Sequence, residues 1–396
     1  MYEKIKADNR RRIERYDPRV LDGKADFYPA YMQIEQTNRC NAQCIMCNHF
    51  YLGNRGCGDL PAEVLERIAP VLPYCQTVML NGDGEPFLSA TIESSLRCYH
   101  QYGVKIGTNT NLSYIPEAVW PYFASTFGFI NISCDACTPE RYEMIRPGLS
   151  FDRFQRNLER MKESAPGLKK NIDCVVMKQN ITELPGIVRL AHAYGIAEVR
   201  FHRLGVNPII GNDADRAEYY YDMLRDQLLL ADEEGRKTGV RVVHPKYEAP
   251  EKQAGSLPTG EEMIEELRQR KKTSELKAGT MLLGDDYYSE IVTERDLVTG
   301  LWDAGKVCRW AIERCYVDIK GNVTTCCYNM KKHMGSLLHQ TFEEIWNGEE
   351  YVALRRNMAR HLCRVFAGSA TGSKRRSFKR AAALLERYDE WEEKGI

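Results

Sequence analysis

The stretch CNAQCIMC, residues 40–47, sets Cys40, Cys44 and Cys47 three and then two residues apart. It follows at once on YMQIE, residues 31–35, a short run that reads as a strand. A cysteine loop directly after a strand lies at the C-terminal mouth of a parallel sheet, where α/β folds place their chemistry. Three thiolates on one loop can hold three irons of a cubane cluster and leave the fourth iron without a protein ligand. An open metal position suits a catalytic site, whereas a structural site closes its coordination sphere. The competing reading is a zinc site with His49 as the fourth ligand.

Outward from this loop, short apolar runs alternate with amphipathic stretches. Strands are expected at Tyr31–Glu35, Thr77–Leu80, Val104–Thr108, Phe129–Ser133, Ile172–Met177 and Glu198–His202, with a further short run at Val240–His244. Between them, Asp59 is a candidate cap ahead of Pro61, and Val64, Leu65, Ile68 and Leu72 share one helical face. Helices are also expected near Ile92–Tyr102 (stopped by Gly103), over Glu117–Ala124, from Thr138-Pro139, after Ser150, over Thr182–Tyr194 and from about Ala214 to Thr238. Six β-α units in a row imply a parallel sheet with crossover helices, an α/β fold. A closed barrel needs eight, so six suit a partial (β/α)6 barrel or an open doubly wound sheet.

The chain has 396 residues, a 43% hydrophobic fraction and zero formal net charge. That supports a real core and argues against a protein built to coat nucleic acid or an anionic membrane. The opening MYEKIKADNRRRIERYD is charged and lacks the apolar run of a targeting segment, so a cytoplasmic location is expected and a membrane partner is not. Fourteen cysteines in such a chain read first as metal ligands rather than disulfides. Cys57, Cys75, Cys98 and Cys174 read as buried small hydrophobes, and the Cys134/Cys137 pair as incidental.

The cysteine spacing resembles the signature of the radical S-adenosylmethionine (SAM) superfamily, which implies the partial (β/α)6 barrel. In that family the open iron is chelated by the amino and carboxylate groups of SAM, and an electron from the 4Fe-4S cluster yields methionine and a 5′-deoxyadenosyl radical. Further motifs match in chain order. NGDGEP at 81–86 is similar to the glycine-rich segment that binds the SAM amino group, which implicates Gly82, Gly84, Glu85 and Pro86; glycines permit close backbone approach and Glu85 can accept from an ammonium. Thr108-Asn109-Thr110-Asn111 stands at the family's Thr-Asn position, so Asn109 is a further candidate. Ser133 fits the ribose contact and Arg146 the SAM carboxylate. Asn180 and His202-Arg203 are expected to face the mouth, with structural roles equally open to them.

The segment CRWAIERCYVDIKGNVTTCCYNM, residues 308–330, carries Cys308, Cys315, Cys326 and Cys327. It reads as two strands, Val317–Ile319 and Val323–Thr325, turning at Lys320-Gly321-Asn322. A capped amphipathic helix from Thr341 follows. This resembles the SPASM or shorter twitch module, which binds auxiliary 4Fe-4S clusters. The usual closing Cys-x-x-Cys is broken: Cys363 is present, but Phe366 stands where its partner belongs. The resemblance therefore implies one auxiliary cluster held by Cys308, Cys326 and Cys363, with Cys327, Cys315 or a substrate atom as the fourth ligand. The alternative is a zinc ribbon-like hairpin or a site with no metal.

The organisation expected is a lead-in at 1–29, a radical SAM core at 30–245, a linker or insertion at 246–305, the auxiliary module at 306–366 and a charged helical tail at 367–396. About thirty residues precede the first strand, and Met46 stands where many peptide maturases carry an aromatic. Both features lean toward a small polar substrate, sugar- or cyclitol-like, undergoing dehydrogenation, epimerisation or elimination. The runner-up is a peptide or protein maturase. The rival from another class is a zinc-binding, RNA-interacting protein using Lys374-Arg375-Arg376 and Lys379-Arg380. An electron donor such as flavodoxin or ferredoxin is the expected partner.

Overall fold

The alternating runs pair into one ten-stranded sheet. In the computed structural model, which describes residues 2–16, 22–47, 49–52, 57–206, 210–251, 254–281, 312–327 and 333–359, the strands are β1 Tyr31–Ile34, β2 Thr77–Met79, β3 Lys105–Thr110, β4 Phe127–Ser133, β5 Lys169–Val176, β6 Glu198–Arg203, β7 Arg241–Val243, β8 Arg314–Val317, β9 Asn322–Thr324 and β10 Gly335–Ser336. β1 to β7 run parallel in chain order, and β8, β9 and β10 extend the sheet beyond β1. This is the expected partial (β/α)6 barrel, with Val240–His244 supplying a short seventh strand. Alternate side chains such as Met32, Ile34, Ile130, Ile132, Ile172, Val199 and Phe201 are buried under the crossover helices, which leaves the other set to line the concave inner face.

Local signals explain most helix boundaries. Thr138 and Pro139 open the Pro139–Ile145 helix, the Ser150 hydroxyl accepts from the Arg153 amide at 3.5 Å, and left-handed Gly239 (φ 76°) ends Tyr221–Thr238. One expectation fails. Ala62–Ile68 has no side-chain cap, because Asp59 instead pairs with Arg39 at the root of the cysteine loop. Two of the cysteines read as buried, Cys57 and Cys98, are half-exposed, whereas Cys75 and Cys174 are buried as expected.

The C-terminal segment joins the barrel sheet. β8 pairs in parallel with β1, Met32 opposite Cys315 and Ile34 opposite Val317, and β9 returns antiparallel through a turn at Gly321 (φ 76°). The Asp318 carboxylate accepts from the Lys320 and Asn322 amides at 2.9 and 2.8 Å and so fixes this turn. Thr341 and Glu344 form a reciprocal capping box at the Phe342–Trp346 helix. Trp346 is fully buried and donates to the Phe27 carbonyl at 2.7 Å, Asn347 bonds both backbone groups of Ala25, and buried Arg355 stacks 4.3 Å over the Trp346 ring. Among the described residues no helix is long and apolar enough to cross a membrane. Because Trp346 ties the module to the segment ahead of β1, Trp346→Ala should cost about 3–5 kcal/mol of stability, measured by denaturant unfolding; an unchanged midpoint would mean the module folds independently of the sheet.

Candidate active site

The cysteine loop is held by backbone bonds from the far side of the mouth. Gln43 and Ile45 amides donate to the carbonyls of Pro147 and Ile145 at 2.8 and 3.0 Å. Gly148 (φ 95°) permits this approach, since a Cβ there would stand 2.6 Å from the Asn41 carbonyl. Cys44 is buried, Cys40 and Cys47 half-buried. Burial pushes the Cys40 and Cys44 thiols up to about 12, with the neighbouring thiols adding to the effect. The three sulfurs are thus close enough to feel one another's charge. Yet among the described residues no three Cys, His, Asp or Glu side chains converge tightly enough to hold one metal ion. His49, the candidate zinc ligand, is buried with its Nδ1 unpartnered.

The glycine segment packs directly on this loop. A Cβ at Gly84 would stand 2.5 Å from the carbonyls of Thr37 and Arg39, so only glycine fits. The Glu85 amide donates to the Arg39 carbonyl at 2.8 Å, and buried Pro86 opens a single 3-10 turn at Pro86–Leu88. The Glu85 carboxylate is fully enclosed and accepts from the Thr110 hydroxyl and the Asn111 amide, both at 2.7 Å. Asn111 in turn donates to the Asn41 side chain at 2.9 Å. The ends of β1, β2 and β3 are therefore knitted into one polar floor. Asn41 and Asn111 were missed as site residues, although both stand inside motifs quoted above.

Arg146, expected at the SAM carboxylate, is buried, with Nη2 2.5 Å from Asp135 Oδ2 and Nη1 donating toward Cys44 Sγ at 3.6 Å. It faces the cysteine loop, but as a charge-paired neighbour of one thiol. Nothing in the sequence pattern marked Asp135 as its partner.

On the inner face the registers bring candidates into rows. Asn109, Asn131 and Asn171 stand side by side, Asn131 donating to the Asn109 side chain at 2.9 Å and Asn171 to the Asn131 side chain at 3.0 Å. One row nearer the mouth, Ser133 faces Asp173 and Asp173 faces Arg200. Arg200 grips Asp173 with Nε and Nη2 at 2.8 and 2.9 Å, and half-exposed His202 lies 2.8 Å from the same carboxylate. Arg203 points the other way, stacking 5.0 Å over Tyr247. Asn180 is structural: its amide bonds the Asp135 and Val175 carbonyls at 2.9 Å. Cys137 donates to Glu183 at 3.1 Å, which accounts for it without redox chemistry.

The stretch expected as a linker contributes to the mouth. Its helix, Gly260–Met281, buries Met263 and Leu267 and crosses the cysteine loop. Arg270 pairs with Asp215, donates to the Ile45 carbonyl at 3.4 Å and stacks 5.3 Å over Phe50, while Lys271 bonds Gln43. Lys178, buried, pairs with Glu266 at 2.5 Å. Between this helix and the 211–215 loop lies a cavity of about 810 Å³, lined among others by Lys178, Asp215, Glu262, Glu266 and Arg270.

In the second cysteine group, Cys308 and Cys363 lie outside the described residues, as does the basic tail. Cys315 sits on β8 in the apolar core, fully buried and raised well above the usual thiol range by burial. Adjacent Cys326 and Cys327 diverge. Cys326 is buried near Tyr351, while half-buried Cys327, pushed up to about 11 by burial, lies beside Gln33 on the inner face.

A partial barrel whose first strand delivers three clustered thiols, with a glycine-rich acidic loop packed beside them, defines an iron–sulfur enzyme that works on SAM. The chain belongs to the radical SAM superfamily: the superfamily model matches residues 34–191, and the SPASM iron-sulfur cluster-binding domain model matches 308–365. The cofactors of that class are a 4Fe-4S cluster and SAM, with auxiliary iron–sulfur binding in the SPASM domain. The fold is similar to that of Streptococcus suis SuiB bound to precursor peptide SuiA (13% identity over 87% of this chain and 73% of that one, TM-score 0.55). It is also similar to anSMEcpe with bound AdoMet (17% identity, 82% of each chain, TM-score 0.53). No curated protein sequence matches.

Two outcomes follow from this geometry. Burial pushes the Glu85 carboxyl up from 4.5 to about 7, against the bonds from Thr110 and Asn111. An acid raised on folding stabilises fully below its unfolded value and loses that contribution as pH climbs through the folded one. Glu85→Gln should therefore flatten the decline in cluster-free stability between pH 4.5 and about 7, read from thermal unfolding across pH; an identical slope would contradict the shift. Arg270→Ala, by releasing the loop, should speed anaerobic loss of iron to a chelator about 10-fold, followed by bleaching of the visible band. An unchanged rate would show that the covering helix does not brace the loop.

Proposed function

We propose that this enzyme removes a hydrogen atom from a small polar, polyhydroxylated substrate bound on the inner face beside SAM, leading to dehydrogenation, epimerisation or elimination. The observation that carries the reading is the row Ser133–Asp173–Arg200 with His202. A concave wall of fixed donors and acceptors recognises hydroxyl groups, each of which would cost free energy if buried unpaired. When bound, the cluster and SAM supply a 5′-deoxyadenosyl radical.

The chain's own residues do the rest. Cys40, Cys44 and Cys47 hold the cluster, and the 81–86 loop with Glu85 orients the SAM amino group. Asn109 and Ser133 line the ribose, and Arg146 steadies the thiolate of Cys44 and the adjoining carboxylate. The Gly260–Met281 helix limits water at the mouth. Cys308, Cys326 and Cys363 hold one auxiliary cluster, with Cys327 as the fourth ligand in preference to core-buried Cys315. A small reduced electron carrier, flavodoxin or ferredoxin, supplies the electron. The sheet from β1 to β7 acts as the catalytic core, 306–366 as the auxiliary module and 367–396 as an appended tail.

A peptide substrate is the second reading. It is favoured by fold-sharing structures with peptides bound and by the cavity of about 810 Å³ beside the covering helix. Anaerobic incubation with SAM, reductant and ring-deuterated sugars or cyclitols should transfer deuterium into 5′-deoxyadenosine. Cys44→Ala should abolish 5′-deoxyadenosine formation, and Cys326→Ala should lower iron content yet leave some uncoupled cleavage. Deuterium transfer only from a labelled peptide would overturn the small-molecule reading.

A further inference from the structure

β1 turns two polar side chains to the inner face, Gln33 and Glu35, and both are buried. Each reaches in two directions. The Glu35 carboxylate accepts from the Asp83 amide at 2.8 Å on one side and from the Ile319 amide at 3.2 Å on the other. Asp83 lies in the glycine loop; Ile319 lies in the turn of the auxiliary hairpin. The Gln33 amide donates to the Asn81 carbonyl at 2.9 Å, again in the glycine loop, and its side chain lies beside Cys327, again in the auxiliary segment. The loop presses hard on this strut: a Cβ at Gly82 would fall 2.2 Å from Glu35 Oε1. The backbone of Glu35 adds a third tie, its amide donating to Val317 on β8 at 2.9 Å.

A buried carboxylate is costly unless its lone pairs are met. Glu35 is satisfied only when the glycine loop and the hairpin are both in place, so displacement of one unsettles the other. Neither residue lies in the 40–47 cysteine loop or in the 81–86 segment. We propose that Glu35, with Gln33 beside it, is a positioning pair that couples the SAM-binding loop 81–86 to the auxiliary hairpin 314–327, so that SAM binding tightens the hairpin and the state of the hairpin sets SAM affinity. Reciprocity is required by linkage: whatever factor one site imposes on the other is returned. The proposal rests on the reading of 81–86 as the SAM amino-group site.

Hydrogen–deuterium exchange on the anaerobically reconstituted holoenzyme, with and without SAM, tests it with a readout independent of turnover. SAM should slow exchange at 81–86 and, about 10-fold, at the Ile319 amide. In Glu35→Gln, which keeps the shape but faces one of the two amides with a donor, slowing at 81–86 should persist and slowing at Ile319 should vanish. Should that variant not fold, the wild-type comparison decides alone. An Ile319 amide blind to SAM in the wild type, or equally protected in Glu35→Gln, overturns the coupling while leaving the SAM site intact. No slowing at 81–86 overturns the parent reading and the coupling with it.

Discussion

The cost of burying sulfur governs the mouth of this barrel. Cys40 and Cys44 sit where their thiols are pushed up to about 12, so without a metal they stay protonated and contribute little beyond packing. Coordination releases those protons and turns an expense of folding into binding free energy. The loop must therefore be held ready by something other than its own ligands. Backbone bonds to Ile145 and Pro147 hold it from one side, the Arg146–Asp135 pair from beneath, and Arg270 and Lys271 from above.

The same economy applies to the carboxylates. Glu35 and Glu85 are both buried and both pushed up to about 7 by burial, and each accepts hydrogen bonds from chain outside its own segment. Glu85 joins the glycine loop to the end of β3, and Glu35 joins that loop to the auxiliary hairpin. Bonds of this kind give the mouth a definite shape before any ligand arrives, which is how a site limits the reorganisation required on binding. The inner face beyond it is polar but largely self-paired, with the Asn109–Asn131–Asn171 ladder and the Asp173–Arg200 grip fixing donors and acceptors in register.

What could be read from the sequence was local. The cysteine spacing, the strand that precedes it, the helix start at Thr138-Pro139, the caps at Ser150 and Thr341, and the turn at Gly321 each depend on residues within a few positions of one another. What could not be read depends on partners far apart in the chain. Asp59 looked like a helix cap and is a partner of Arg39. Arg146 fitted the place of a SAM-carboxylate contact, but its pairing with Asp135 could not be read from spacing. A helix near Glu261–Lys272 could be read inside the stretch taken as a linker or insertion, but not its place at the mouth; its attachment runs through Arg270 and Lys271, and charged residues carry no periodic signal. The divergence of Cys326 and Cys327 follows from simple alternation after β9, whereas the burial of Cys315 follows from β8 joining β1, a pairing across nearly three hundred residues.

The central claim is that three thiols at the end of β1 hold an iron–sulfur cube with one corner open to SAM. Electron paramagnetic resonance of the anaerobically reconstituted, dithionite-reduced protein, recorded before and after adding SAM, tests it most directly, with Cys326→Ala isolating the signal of the first cluster. A cubane signal that changes shape on addition of SAM is expected. A signal indifferent to SAM, or a colourless protein carrying zinc, would contradict the account.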